Sequence, residues 1–169
     1  MRKAADHRRR GSAALEFTLT GVPLIFVLIS TFEMARGMWI YHTLAYAVKE
    51  GTRYASVHGK NCVTAPNSCS VTLGQVAARI RDNGTGLEPD RLNLTFTTSA
   101  GSQSCLLQDC LASGTVWPDA PGNAAGMDIT ISALYPFRSF LCLFWPGAGA
   151  VNFSDVYNFP ASSREKIQF

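Results

Sequence analysis

With 169 residues, 47% of them hydrophobic and only 16% charged, the chain allows one modest domain, and its charged share falls short of the roughly 25% usual in soluble globules. The net charge of +3 sits at the start: Arg2, Lys3, Arg8, Arg9 and Arg10 against Asp6 leave +4, Glu16 takes this to +3, and the remaining ten basic and ten acidic residues cancel. A nucleic-acid surface would need clustered charge on the folded part, so that partner class is excluded, and the basic tip reads as a topology signal that holds the N-terminus in the cytoplasm.

From Phe17 to Phe32 no residue is charged. Sixteen helical residues span about 24 Å, a little less than the ~30 Å hydrocarbon core of a bilayer. Met34 to Tyr41 supplies the missing length, with Trp39 and Tyr41 placed for an aromatic belt. The run is apolar all round, which a surface helix of a soluble protein is not. A membrane helix is therefore predicted. Glu33 and Arg36, three apart, are expected to pair near the outer interface. Pro23 removes a backbone donor and crowds the preceding turn, so a kink or loosening is expected there.

Beyond the span, Tyr41, Leu44, Ala45, Val48, Thr52 and Ala55 recur at helical spacing, with Lys49, Glu50 and Arg53 on the other side. Gly59 is the expected stop. A helix from about Ser12 to about His58 would be some 70 Å long, a stalk that needs neighbours.

From Lys60 the composition is that of an exported domain. Thr72-Leu73-Gly74-Gln75 reads as a capping box opening a short helix that Asn83-Gly84 ends. Leu92, Leu94 and Phe96 alternate, as do Ile129, Ile131, Ala133 and Tyr135, giving two half-buried strands. A final strand is expected within Val151 to Ile167. Ser99 to Gly126, rich in Gly, Ser and Pro, reads as a long exposed loop. Phe137 to Trp145 is either a core segment or a patch touching the membrane surface. The predicted fold class is α+β: a long N-terminal transmembrane helix, then a small domain with a short helix and an antiparallel sheet. The predicted organisation is a basic leader over 1–11, a transmembrane and stalk helix over 12–58, and a domain over 59–169.

Five cysteines include two close pairs, Cys62 with Cys69 and Cys105 with Cys110. In an oxidising compartment both pairs are expected as disulfides, one of three possible pairings of four cysteines. Zinc is the competing reading, but the spacings are not CxxC and His7, His42 and His58 are scattered, so no metal is expected. Cys142 reads as a buried free thiol. No cofactor is implied. Enzymatic chemistry is not expected: the chain has no phosphate-cradling Gly-Lys loop, no metal-spaced histidines and no GxSxG. Asp82, Glu88 and Asp90 around Pro89 read as a solvated loop rather than an acid/base pair. A periplasmic thiol-redox enzyme would need a reactive cysteine pair, which these spacings do not provide.

Arg8-Arg9-Arg10-Gly11-Ser12-Ala13-Ala14-Leu15-Glu16-Phe17 resembles the cleavage and assembly signal of type IV prepilins. Together with Phe32-Glu33-Met34-Ala35-Arg36 and Lys49-Glu50-Gly51-Thr52-Arg53-Tyr54-Ala55, it resembles the TadE-like family, minor pilin-like proteins of tight-adherence (Tad) pilus systems. The resemblance covers about Arg8 to Gly59. It implies a structural or assembly component of a Tad-type pilus or related secretion system, cut by prepilin peptidase between Gly11 and Ser12. Glu16 and Phe17 are the assembly residues it implies, with Glu16 meeting the new N-terminal amine of a neighbouring subunit. The bland reading of Glu16 is a carboxylate resting among headgroups. Phe17, Pro23, Phe32, Glu33 and Arg36 mark the membrane helix.

The implied partners are the peptidase, other pilins or pseudopilins, and Tad inner-membrane assembly proteins, in cell adhesion. The implied location is the bacterial inner membrane, single-pass, with the domain in the periplasm or carried to the cell surface in a pilus. A signal peptidase I site is not expected, because the small-residue cut precedes the apolar run and leaves the helix attached. The alternative from another class is a membrane-tethered periplasmic binding module that does not polymerise, with Phe137 to Trp145 as its contact surface.

Overall fold

The computed structural model describes residues 4–61, 71–141 and 156–168, with side chains from residue 13 onward. In chain order it contains α1 (Ala4–Ser56), α2 (Leu73–Asn83), β1 (Asn93–Thr97), β2 (Ser102–Leu106), α3 (Leu107–Leu111), β3 (Asp128–Phe137) and β4 (Tyr157–Lys166). The strands form one antiparallel sheet in the order β2-β1-β3-β4. This is the α+β class that the sequence predicts. The described residues fall into two compact units, one of 4–37 with 139–141, the other of 38–61, 71–138 and 156–168.

In the first unit α1 is helical through Pro23 without interruption. Its side chains from Ala13 to Thr20 are all exposed, and Phe17, Leu19 and Phe32 are 75–80% exposed. In the second unit the same helix acquires a buried stripe. Ile40, Leu44, Ala47, Val48, Gly51, Thr52 and Ala55 are buried at three- and four-residue spacing, while Lys49 and Arg53 face solvent. Leu44, Val48, Thr52 and Ala55 lie where the periodicity puts them; Tyr41 instead is exposed, and Ile40 takes the inward position. The helix ends at Ser56, ahead of Gly59. The expected stalk thus finds neighbours within its own chain.

Those neighbours are α2 and one face of the sheet. Leu94 and Phe96 of β1, Ile129, Ile131, Ala133, Tyr135 and Phe137 of β3, and Ala161 of β4 are buried and share that face. Alternation with period two makes this possible, because successive side chains point to opposite sides. The other face is a carpet of small hydroxyls. Ser104, Thr95, Ser132 and Ser162 lie in one row across all four strands, with Thr95 hydrogen-bonded to Ser104 (2.9 Å) and Ser132 to Ser162 (3.0 Å).

The opening of α2 is the predicted capping box: Thr72 Oγ1 accepts from the Gln75 N–H (3.2 Å), and Gln75 Oε1 accepts from the Thr72 N–H (3.1 Å). Both otherwise unmet donors of the first turn are thereby satisfied. The helix ends at Asn83, and Leu73, Val76, Ala77 and Ile80 line its buried side.

The stretch 99–126 is not the exposed loop that its composition predicts. It contains β2 and α3, and its Trp117 is 1% exposed, edge-on to Phe96 with centroids 5.1 Å apart. Leu73 N–H donates to Thr115 O (2.8 Å) and Trp117 N–H to Val71 O (2.9 Å), tying the segment to the start of α2. The composition misleads for a physical reason. As an edge strand with one solvated face, β2 sets hydroxyls opposite Thr95 and Thr97 and half-buries only its last two residues, Cys105 and Leu106, so no apolar alternation appears. Cys105 and Cys110 form a disulfide that clips β2 to α3, with Cα atoms 5.6 Å apart. The expected Cys62–Cys69 pair and Cys142 lie outside the described residues.

Phe137 to Trp145 divides. Phe137 closes the core at 8% exposure and Phe140 is 56% exposed, while 142–145 lie outside the described residues. The expected last strand is β4, inside the predicted window.

Candidate functional site

The site begins with a helix that has an apolar surface and no cover. Ala13–Ser56 is long and apolar enough to cross a membrane, and its most apolar 18-residue window is wholly unburied. A helix so exposed and so greasy is stable in lipid, where its backbone groups are satisfied internally. Its polar side chains are handled the same way. Thr18 donates to Ala14 O (3.1 Å) and Leu15 O (3.0 Å), and Thr31 to Val27 O (2.8 Å). Thr20 donates to Glu16 O. Each of these three hydroxyls is returned to the helix's own carbonyls, so none depends on water. The spacing of threonines in the apolar run could have signalled this.

Glu16 and Phe17 stand at the head of the helix, both exposed. Glu16 lies on a shallow apolar hollow lined also by Leu15, Thr18, Leu19, Val22 and Pro23. Pro23 thus contributes a bare ring surface to a face of α1. Gly11 and Ser12 lie within the helical span, ahead of the residues whose side chains are described. Phe32 is exposed immediately before Glu33, which forms a charged pair with Arg36.

That pair forms as the spacing predicts. Arg36 Nη2 lies 3.2 Å from Glu33 Oε2, and the Glu33 side chain is only 11% exposed. A longer-range contact joins it, from a residue 107 positions away: the Phe140 backbone N–H donates to Glu33 Oε1 (2.9 Å). The Arg36 guanidinium sits over the Phe140 ring, 4.4 Å from its centroid. No local pattern in the sequence announces this cluster.

Toward its other end α1 carries Gly51, where a Cβ would lie 2.5 Å from Ile80 Cγ1 and 2.9 Å from Cδ1. The absence of a side chain lets α1 and α2 approach closely. Farther along, the Arg79 guanidinium lies 4.9 Å from the Tyr54 ring centroid, and Tyr54 lies 4.6 Å from His58 by centroids.

The family model described as "TadE-like protein" matches residues 11–53. This stretch of the chain is TadE-like. It begins at Gly11 and takes in Glu16, Pro23, Glu33, Arg36 and Gly51, so it holds both the apolar surface and most of the buried stripe of α1. The match says what this helix is similar to and does not reach α2, α3 or the sheet. No curated protein and no solved structure matches the chain. The TadE-like segment is about a quarter of the molecule; the rest is the sheet, α2 and α3, and the TadE-like helix supplies part of their core.

Proposed function

We propose that this protein is a non-enzymatic, pilin-like structural or assembly component of a Tad-type pilus, anchored in a bacterial inner membrane with its sheet domain in the periplasm. The observation that carries the reading is the TadE-like helix, whose exposed apolar face holds Glu16 at its head. In this reading prepilin peptidase cuts after Gly11 on the cytoplasmic side. The cut removes the arginine cluster that holds the N-terminus inside. It leaves Ser12 with a new amine and Glu16 as the fifth residue of the mature chain.

A carboxylate at the edge of hydrocarbon is costly alone, and the new amine of a neighbouring subunit is its natural counter-ion. Pilins and assembly proteins of the same machine would then pack their helices against this one in the bilayer. Two measurements test the proposal. Co-expressed with a prepilin peptidase, the protein should begin at Ser12 by N-terminal sequencing, and a bulky residue in place of Gly11 should leave the leader attached. Glu16→Ala should be cut and reach normal membrane levels, yet fail to support pili. Truncating one member of a buried charge pair strands the other at about 3–5 kcal/mol. An uncut protein, or wild-type pili on Glu16→Ala cells, sinks the respective half of the proposal.

A further inference from the structure

Phe140 combines two properties that do not usually occur together. It is 56% exposed, and it is firmly held: its N–H donates to Glu33 Oε1 (2.9 Å) and its ring lies beneath the Arg36 guanidinium (4.4 Å). Glu33 is engaged through both oxygens, Oε1 by Phe140 and Oε2 by Arg36. A carboxylate so matched can sit at a hydrocarbon boundary at tolerable cost.

Helix arithmetic gives the depth of this cluster. Glu16 and Glu33 are seventeen residues apart, about 26 Å along the axis. With Glu16 at one edge of a hydrocarbon core of ~30 Å, Glu33 and Arg36 reach the opposite edge, and Phe140 is fastened at that level. This step rests on the membrane reading of α1 proposed above.

A separate observation in the second unit agrees. Tyr41 of α1 meets Phe159 of β4 edge-on (6.3 Å between centroids), and Phe159 stacks on Phe137 at the end of β3 (5.0 Å). Both strands flanking the β3–β4 connection therefore reach the part of α1 that carries Tyr41. Trp39 (63% exposed), Tyr41 (46%) and Tyr157 (49%) are the residue types that populate the headgroup layer. Between Arg138 and Asp155 the sequence carries no charged residue.

We propose that Phe140 and Arg36 make a second contact with the phospholipid bilayer beside the span, the Phe140 ring entering the headgroup layer and the Arg36 guanidinium meeting a lipid phosphate. Arginine suits this place, because its stem lies along apolar surface while its head reaches outward to an anion. The domain is then attached to the membrane at a strand connection as well as through its helix.

The test uses the full-length protein in phospholipid nanodiscs, with benzoylphenylalanine placed singly at Phe140, at Phe26 in the middle of the span, or at Leu134 on the exposed sheet face. All three positions are exposed, so the fold should tolerate each replacement. After irradiation, mass spectrometry should find phospholipid adducts at Phe26 and Phe140 in comparable yield and only background at Leu134. Adducts at Phe26 without any at Phe140 overturn this inference and leave the span standing. No adduct at Phe26 removes the span reading, and this inference with it. Cross-linking from Phe140 to a second copy of the chain instead of lipid overturns it in favour of a subunit contact.

Discussion

Gly51 shows how much can rest on one hydrogen atom. A methyl group there would lie 2.5 Å from Ile80 Cγ1, and Ile80 is itself fully buried, with Ile131 Cδ1 3.8 Å from the same point. Glycine within a helix ordinarily costs about 1 kcal/mol relative to alanine, so its presence here marks a packing need that outweighs propensity. Gly51→Val should lower the unfolding free energy by about 1–3 kcal/mol, the range for overpacked cores, read from denaturant melts in detergent. A second residue-scale expectation concerns Asp128, whose carboxyl the hydrogen-bonded Arg164 guanidinium holds below its ordinary value. A carboxylate lowered in the folded state adds stability above its unfolded pKa, near 3.9, and that contribution is lost as pH falls through the folded value. The stability gap between wild type and Asp128→Asn should therefore be open at neutral pH and closed in acid. Asp128 and Arg164 both face solvent, so salt should shrink the gap.

At the scale of elements, the disulfide does for β2 what apolar burial does for the other strands. The burial pattern of β2 runs exposed, exposed, exposed and then two half-buried positions, too little to hold an edge strand by itself. Closing a loop this short contributes about 2 kcal/mol by the loop-entropy estimate. Reduction of Cys105–Cys110 should lower the melting temperature by several degrees and raise amide exchange in β2 and α3 before α2. Uniform exchange across the sheet would count against this. The same elements show what a sequence can and cannot announce. The short helix was legible because Thr72 and Gln75 sit at capping-box spacing, and β1 and β3 because their inward residues alternate against a buried face. The edge strand was not, because its outward residues are hydroxyls matched to Thr95 and Thr97, a pattern that reads as loop. Trp117 was lost with it, since nothing local marks a single aromatic as an anchor. At the site, Glu33 with Arg36 was legible at three-residue spacing. Phe140 joins them through a contact spanning 107 positions, and no window along the chain contains both ends.

For the molecule as a whole, α1 is both the apolar span and part of the domain's core. Ile40, Leu44 and Val48 alone, buried at 0–9% exposure, represent about 5–9 kcal/mol at 1.5–3 kcal/mol per side chain. That is comparable with the entire stability of an ordinary domain. A truncated chain starting at Met38 should therefore be folded, with a cooperative melt, whereas one starting at Lys60 should not. Far-UV circular dichroism and thermal melts of the two decide it, and a folded chain from Lys60 would refute the shared-core account. The sequence pointed to a stalk in need of company, and periodicity alone could not tell whether that company was another subunit or the chain's own sheet. One mechanical property follows from the unbroken helix between Met38 and Ser56. An unstructured tether can lengthen by about 3.3–3.6 Å per residue before it transmits tension. Here no such slack exists. Within the second unit, a displacement of the helix along its axis from Met38 onward is delivered at once to Ile40, Leu44 and Val48, the residues that hold the domain folded.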